Sequence, residues 1–225
     1  MNFANMLDVT AVRGCNRQDV EDIEKIAWEY QCKAVFSLPC FAAYLKSLID
    51  KRSPQEGIRP LLGGTVGFPD GGETTSTKVF QTQELLSIGC DEIDMVLNYG
   101  FLCSGMYKEV VEDVAAVKRV MGNVPLKVIL ECHYLSNEQI VLGSQLAVQG
   151  GADWIKTSTG WAPTGATLEN VALIKKTVGD KVYVKAAGGI RDLETIKKMY
   201  ELGVDRFGIG IKTCLKVLNE IKNES

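Results

Sequence analysis

Residues Asp153 to Gly160 read Asp-Trp-Ile-Lys-Thr-Ser-Thr-Gly. Trp154 and Ile155 are typical of a short buried strand, and a turn at glycine follows the lysine. An ammonium group buried without a partner is strongly destabilising, so Lys156 must be ion-paired, be neutral or take part in chemistry. This strand therefore carries a candidate functional residue near its carboxyl end.

A second stretch repeats the pattern. Residues Val182 to Gly189 read Val-Tyr-Val-Lys-Ala-Ala-Gly-Gly, an apolar strand that contains Lys185 and ends in glycines. Two buried lysines side by side favour a mechanism in which one amine stays neutral and attacks a carbonyl carbon, while the other tunes its pKa. We therefore expect Lys156 and Lys185 to belong to one site.

The rest of the chain alternates predicted strands with predicted helices, at a repeat of roughly 25 to 30 residues. Predicted helix caps include Asn16, Ser104 and Ser136, the last in a capping box with Gln139. The eight predicted strands are a short first one at 7–10, then 34–38, 61–68, 92–97, 126–131, the strands of Lys156 and Lys185, and 206–209. We expect a single domain over residues 1–225.

A closed barrel and a doubly wound open sheet both fit this alternation. In an open parallel sheet both faces meet helices, so near-continuous apolar strands are expected. Here the strands carry charged residues, namely Asp94, Lys127, Lys156 and Lys185. Such charges suit strands with one face toward a barrel interior, so the sequence favours a (β/α)8 TIM barrel with its site at the carboxyl ends of the strands.

The side-chain alternation along a strand brings a carboxylate to the two lysines. If Ile93 and Met95 face the helices, Asp94 faces inward, and the same argument turns Lys156 and Lys185 inward. Strands six and seven are neighbours with backbones about 4.8 Å apart. Strand four belongs with strand six among the alternate strands that fill a common layer. A cation, an amine and a carboxylate should therefore surround one cavity.

Composition excludes several classes of partner. The chain has 225 residues, 46% of them hydrophobic, and a net charge of -3 without long charged runs, so we expect no nucleic-acid partner. No stretch resembles a signal peptide or a membrane span, which predicts a cytoplasmic protein with no membrane partner. Seven cysteines without a C-x-x-C pair predict reduced, mostly buried thiols. His133 is the one histidine and has no ligand cluster around it, so we expect no metal and no cofactor.

Six motifs in order identify a family. They are LDVT at 7–10, VGFP at 66–69, DEIDMV at 91–96, KVILE at 127–131, IKTSTG at 155–160 and VKAAGGIR at 184–191. Over nearly its whole length the chain resembles the deoxyribose-phosphate aldolases, class I (Schiff-base) aldolases on an eightfold barrel. The resemblance implies a lyase of carbohydrate and deoxyribonucleotide catabolism. Its small-molecule partners would be 2-deoxy-D-ribose 5-phosphate, acetaldehyde and D-glyceraldehyde 3-phosphate.

The resemblance also implies roles for individual residues. Lys156 would form the Schiff base, Lys185 would keep it deprotonated, and Asp94 would move protons. The substrate and its phosphate would contact a further set: Asp8, Thr10, Thr159, Gly188, Gly189, Gly208, Gly210 and Lys212. Asp8 and Thr10 are almost equally well explained as residues that cap a strand. Lys127 and Glu131 either pair with Asp94 or each other or act in the reaction, and His133 is more typical of a surface or supporting position.

Two departures from the family leave alternatives open. Relatives commonly carry serines after the strand-eight glycine, where this chain has Gly210-Ile211-Lys212, so Lys212 is a candidate replacement for those hydroxyl donors. Phe36 and Leu38 stand where many relatives have cysteine and asparagine, so the family's reactive cysteine is absent. The alternatives are an aldolase for another or an unphosphorylated aldehyde, and a sugar-phosphate-binding barrel without catalysis. Whether the chain forms a homo-oligomer, dimer or tetramer, stays open.

Overall fold

The protein is an eight-stranded parallel barrel, seen in a computed structural model that describes residues 3–53 and 57–224. Each strand pairs with the next in sequence, and β8 pairs with β1 to close the barrel. The predicted TIM barrel is therefore confirmed. The strands are β1 (Leu7–Ala11), β2 (Ala34–Ser37), β3 (Leu61–Val66), β4 (Glu92–Val96), β5 (Leu126–Ile129), β6 (Trp154–Lys156), β7 (Tyr183–Ala187) and β8 (Arg206–Gly210).

Helices surround the barrel and connect its strands. In the described part of the chain they are α1 (Arg17–Tyr30), α2 (Ala42–Ile49), α3 (Thr75–Ile88), α4 (Tyr99–Cys103), α5 (Tyr107–Val120), α6 (Asn137–Gln149), α7 (Leu168–Val178), α8 (Leu193–Glu201) and α9 (Ile211–Asn223). Short 3-10 turns lie at Phe3–Met6, Pro39–Phe41 and Cys132–Tyr134.

Two of the three predicted helix caps are confirmed. Asn16 caps α1, and Ser136 forms the predicted capping box with the third residue of α6. Ser104 was expected to start the helix that contains Val110, and this prediction is wrong. The side chain of Asn98 caps the short α4, and Ser104 ends that helix instead, so α5 begins only at Tyr107.

The strands present alternate residues to the helices and to the barrel interior. Ile93, Met95 and Ile155 are fully buried in the apolar core between the barrel and its helices. The register pairs Lys156 with Lys185 across β6 and β7, and both side chains point into the barrel with Asp94. The interior of the barrel is therefore charged, while the layer around it is apolar.

The cysteines and the longest apolar helices were also subjects of expectation. The cysteines are free, and four of the seven are buried, as Cys32, Cys90, Cys132 and Cys214. Among the described residues no helix is long and apolar enough to cross a membrane.

Candidate active site

Three side chains meet at the centre of the barrel. One carboxylate oxygen of Asp94, Oδ2, accepts hydrogen bonds from Lys156 Nζ and Lys185 Nζ, each at 2.8 Å. Asp94 and Lys185 are fully buried, and Lys156 is 5% exposed. The two amines share one acceptor, so a single carboxylate fixes the position of both.

Burial and charge shift the pKa values of this group in different directions. Burial lowers the pKa of Lys156 to about 8, and the positive charge of Lys185 contributes, although Asp94 opposes the shift. The pKa of Lys185 is raised, because Asp8 and Asp94 together outweigh the effect of burial. The pKa of Asp94 is lowered, since its lysine neighbours outweigh the effect of burial, which alone would raise it. Lys156 is thus the amine that loses its proton most easily.

An ion-paired network lies beneath this group. Arg206 bonds to Asp8 and, through two nitrogens, to Glu92. Lys127 Nζ lies 2.8 Å from Glu92 and 3.4 Å from Asp94. Together with Lys156 and Lys185, four basic side chains thus face three carboxylates. The charges of this network balance when one base is neutral, and that state agrees with the lowered pKa of Lys156.

Part of this network is predictable from the sequence. Lys127 does pair with Asp94, as one of the predicted alternatives stated, but it does not pair with Glu131 among the described contacts. Glu92 and Arg206 were missed. Glu92 lies two residues before Asp94, and Arg206 lies two residues before Gly208, so both face the barrel interior. The two-residue alternation of side chains along a strand therefore predicts their direction from the sequence.

Phe36 lies inside the barrel against the two lysines. Its ring centroid lies 4.0 Å from Lys185 Nζ and 5.9 Å from Lys156 Nζ, so the ring face meets a cation directly. The ring covers the Cα of Gly63 on β3, where any Cβ would overlap it. Phe36 and Gly63 are therefore a matched pair, because the ring occupies the space that a side chain at position 63 would need.

A cavity of about 600 Å³ opens above the lysines at the carboxyl ends of the strands. It contains most of the residues expected to bind substrate, namely Thr10, Thr159, Gly188, Gly189, Gly208, Gly210 and Lys212. Arg13, Thr65 and Arg191 also line it and were not predicted. Lys156 reaches the cavity floor, so a ligand there would meet its amine.

Asp8 lies deeper in the barrel than the cavity. Its carboxylate is fully buried one layer deeper than Thr10, and its two oxygens face Arg206 and Lys185. It is not among the residues that line the cavity. Asp8 is therefore held by cations within the barrel, and its expected substrate contact stays a prediction.

One end of the cavity suits an anion. Gly188 and Gly189 adopt φ angles of 76° and 77°, which a glycine accepts without strain. Gly210 is the N-cap of α9, so the unpaired backbone N–H groups of that helix lie at the cavity wall. Backbone donors at a helix amino terminus favour phosphate groups, and the exposed Lys212 adds a positive charge.

The remaining predicted residues have supporting positions. Glu131 accepts hydrogen bonds from the hydroxyl and the backbone N–H of Thr159, the latter at 3.2 Å. The Nδ1 atom of His133 lies 2.7 Å from the hydroxyl of Thr164, outside the lysine group. Within residues 3–53 and 57–224 no cluster of His, Cys, Asp or Glu has the geometry of a metal site.

A TIM barrel with a buried lysine of lowered pKa beside a second lysine and a carboxylate is typical of the class I, Schiff-base aldolases. The chain belongs to the DeoC/LacD family of aldolases, whose model matches residues 5–216.

Relatives agree with this assignment. The chain is 44% identical to a deoxyribose-phosphate aldolase of Klebsiella pneumoniae over 98% of its own length and 88% of that protein. It is 38% identical to a deoxyribose-phosphate aldolase of Staphylococcus haemolyticus over 100% of its length and 99% of that protein. A solved structure described as QR15, an aldolase, superposes with a TM-score of 0.90 at 32% identity and covers 100% of this chain and 97% of that one.

Proposed function

We propose that the protein is a lyase that cleaves 2-deoxy-D-ribose 5-phosphate reversibly into acetaldehyde and D-glyceraldehyde 3-phosphate. The observation that carries this proposal is the Lys156 amine, which has a pKa of about 8 and lies at the floor of a cavity with an anion-binding end. The family and the relatives support the same reaction.

The first step is attack of the Lys156 amine on the aldehyde carbon C1 of the open-chain sugar. Only the neutral amine is a nucleophile, and with a pKa of about 8 roughly a tenth of it is neutral at pH 7. The carbinolamine loses water and becomes an iminium ion. Lys185 keeps its own proton, because the carboxylates of Asp8 and Asp94 raise its pKa.

The second step breaks the bond between C2 and C3, since the products contain two and three carbons. The C3 hydroxyl loses its proton, C3 becomes the aldehyde carbon of glyceraldehyde 3-phosphate, and the bonding electrons move into the iminium to give an enamine. Asp94 relays this proton through a water molecule and returns it to C2. Its lowered pKa means that it does not retain the proton. Hydrolysis of the resulting imine releases acetaldehyde and restores Lys156.

The phosphate binds at the end of the cavity formed by the β7 and β8 loops. The backbone N–H groups near Gly188, Gly189 and the start of α9 support this, as does the position of Lys212. Ile211 offers no side-chain donor there, which is the specific observation behind the second candidate, an aldolase of the same mechanism that prefers an unphosphorylated aldehyde.

The experiment measures glyceraldehyde 3-phosphate released from 2-deoxyribose 5-phosphate with a coupled dehydrogenase. The wild type is expected to be active, Lys156→Met to be inactive, and Lys176→Met, a change at an exposed lysine of α7, to match the wild type. Comparable rates on 2-deoxyribose and its 5-phosphate would favour the second candidate.

A homo-oligomeric state and a cytoplasmic location belong to the same proposal. Light scattering tests the oligomeric state, and cell fractionation tests the location.

A further inference from the structure

Thr65 is a buried polar residue without a role in the proposed reaction steps. It is 2% exposed, lies on β3 and lines the cavity above the lysines. Within the described part of the chain, its hydroxyl has no hydrogen-bond partner. Buried hydroxyl groups are nearly always hydrogen-bonded in proteins, so an unpaired one at a cavity wall is a candidate donor to a ligand.

The direction of the side chain follows from the residues on either side. A Cβ at Gly64 would meet the side chains of Leu85 and Ile93, so Gly64 faces the helices. Thr65 therefore faces the barrel interior. Its register partner on β4 is Asp94, which bonds the amine of Lys156. The Thr65 hydroxyl thus lies on the strand next to the carboxylate of the reacting group.

We propose that Thr65 is a further catalytic residue, whose hydroxyl donates a hydrogen bond to the C3 oxygen of the sugar bound to Lys156. This inference rests on the proposed function. With C1 attached to Lys156 and C2 carrying only hydrogens, C3 bears the first hydroxyl along the sugar, and its oxygen is closest to the lysine end of the cavity.

The hydrogen bond acts at the step that breaks the C2–C3 bond. As the C3 hydroxyl gives up its proton, negative charge develops on that oxygen before the carbonyl forms, and a donor placed there stabilises the transition state. Thr65 keeps its own proton throughout. In the synthetic direction the same hydroxyl polarises the carbonyl of the incoming aldehyde.

Two variants separate the hydroxyl from the shape of the side chain. Thr65→Val replaces the hydroxyl with a methyl group of similar size, and Thr65→Ser keeps it. Loss of a hydrogen bond to a developing charge is expected to lower kcat for cleavage about ten- to hundredfold in Thr65→Val. Thr65→Ser should restore most of the rate. Because no described residue bonds the wild-type hydroxyl, Thr65→Val should unfold at the same temperature as the wild type or higher.

A second reaction identifies the oxygen. Acetaldehyde has no C3, so the rate at which borohydride traps its imine on the enzyme should be equal in the wild type, Thr65→Val and Thr65→Ser. Cleavage at the wild-type rate in Thr65→Val would overturn the proposal, and so would an equal fall in cleavage and in imine trapping. Should Thr65→Val not fold, Thr65→Ala allows the same comparison. The wild-type cleavage rate in these assays tests the proposed function independently.

Discussion

Replacing Lys185 with leucine should raise the pKa of Lys156. The two amines each lie 2.8 Å from the same oxygen of Asp94, so they are at most about 5.6 Å apart, twice that distance. At an effective dielectric constant of about 20, two unit charges at about 5.6 Å repel by roughly 3 kcal/mol, or about two pKa units. The pKa of Lys156 should therefore move from about 8 toward roughly 10.

The assay measures the rate of imine formation with acetaldehyde, trapped by cyanoborohydride. It runs from pH 6 to about pH 10.5, so that it reaches the ordinary pKa of a lysine. At pH 7 the neutral fraction of Lys156 would fall about a hundredfold, so the variant should be slow there and recover as the pH rises. Lys176→Leu on the surface of α7 serves as the control and should leave the profile unchanged. A folded Lys185→Leu variant with an unmoved profile would refute the argument, since burial alone would then account for the pKa of Lys156.

Below about pH 8 the charge on buried Lys156 opposes folding, and this cost vanishes near the pKa of about 10.4 that a lysine has in the unfolded chain. Lys156→Met should therefore raise the free energy of unfolding by about 3 kcal/mol at pH 7 and by little at about pH 10.5. Urea unfolding at the two pH values measures this difference. Lys212→Ala should raise KM for 2-deoxyribose 5-phosphate about tenfold and leave cleavage of 2-deoxyribose unchanged; equal effects on both would place Lys212 outside the phosphate site. Gly63→Ala should destabilise the protein by about 1–3 kcal/mol because its Cβ overlaps Phe36, and adding Phe36→Leu should recover part of that loss; additive losses would contradict the overlap.

The sequence predicted the barrel because its charged residues break otherwise apolar strands at regular positions. The two-residue period then turned Asp94, Lys156 and Lys185 to the same side, and the structure places their charged atoms in contact. Helix starts were less predictable. Ser104 is a good N-cap residue, but Asn98 starts a helix of its own shortly before it, and local preference does not decide between two nearby caps.

The interior of the barrel shows what a sequence alone does not give. Asp8 was expected at the substrate, but a strand position fixes the direction of a side chain and not its depth, and Arg206 holds Asp8 below the cavity. Phe36 and Gly63 fit each other across β2 and β3. Predicting this fit requires the register of the two strands, which the sequence does not supply. Thr65 is a candidate because none of the described residues bonds its hydroxyl, and a sequence does not show which side chains lack a partner.

Covalent imine formation between Lys156 and the aldehyde is the step on which the proposed reaction depends. The most direct test is incubation with acetaldehyde, reduction with borohydride and mapping of the modified peptide by mass spectrometry. We expect one permanent ethyl group on Lys156, with Lys185 unmodified because its raised pKa keeps it protonated. An ethyl group on Lys185, or no adduct in a folded protein, would contradict this expectation.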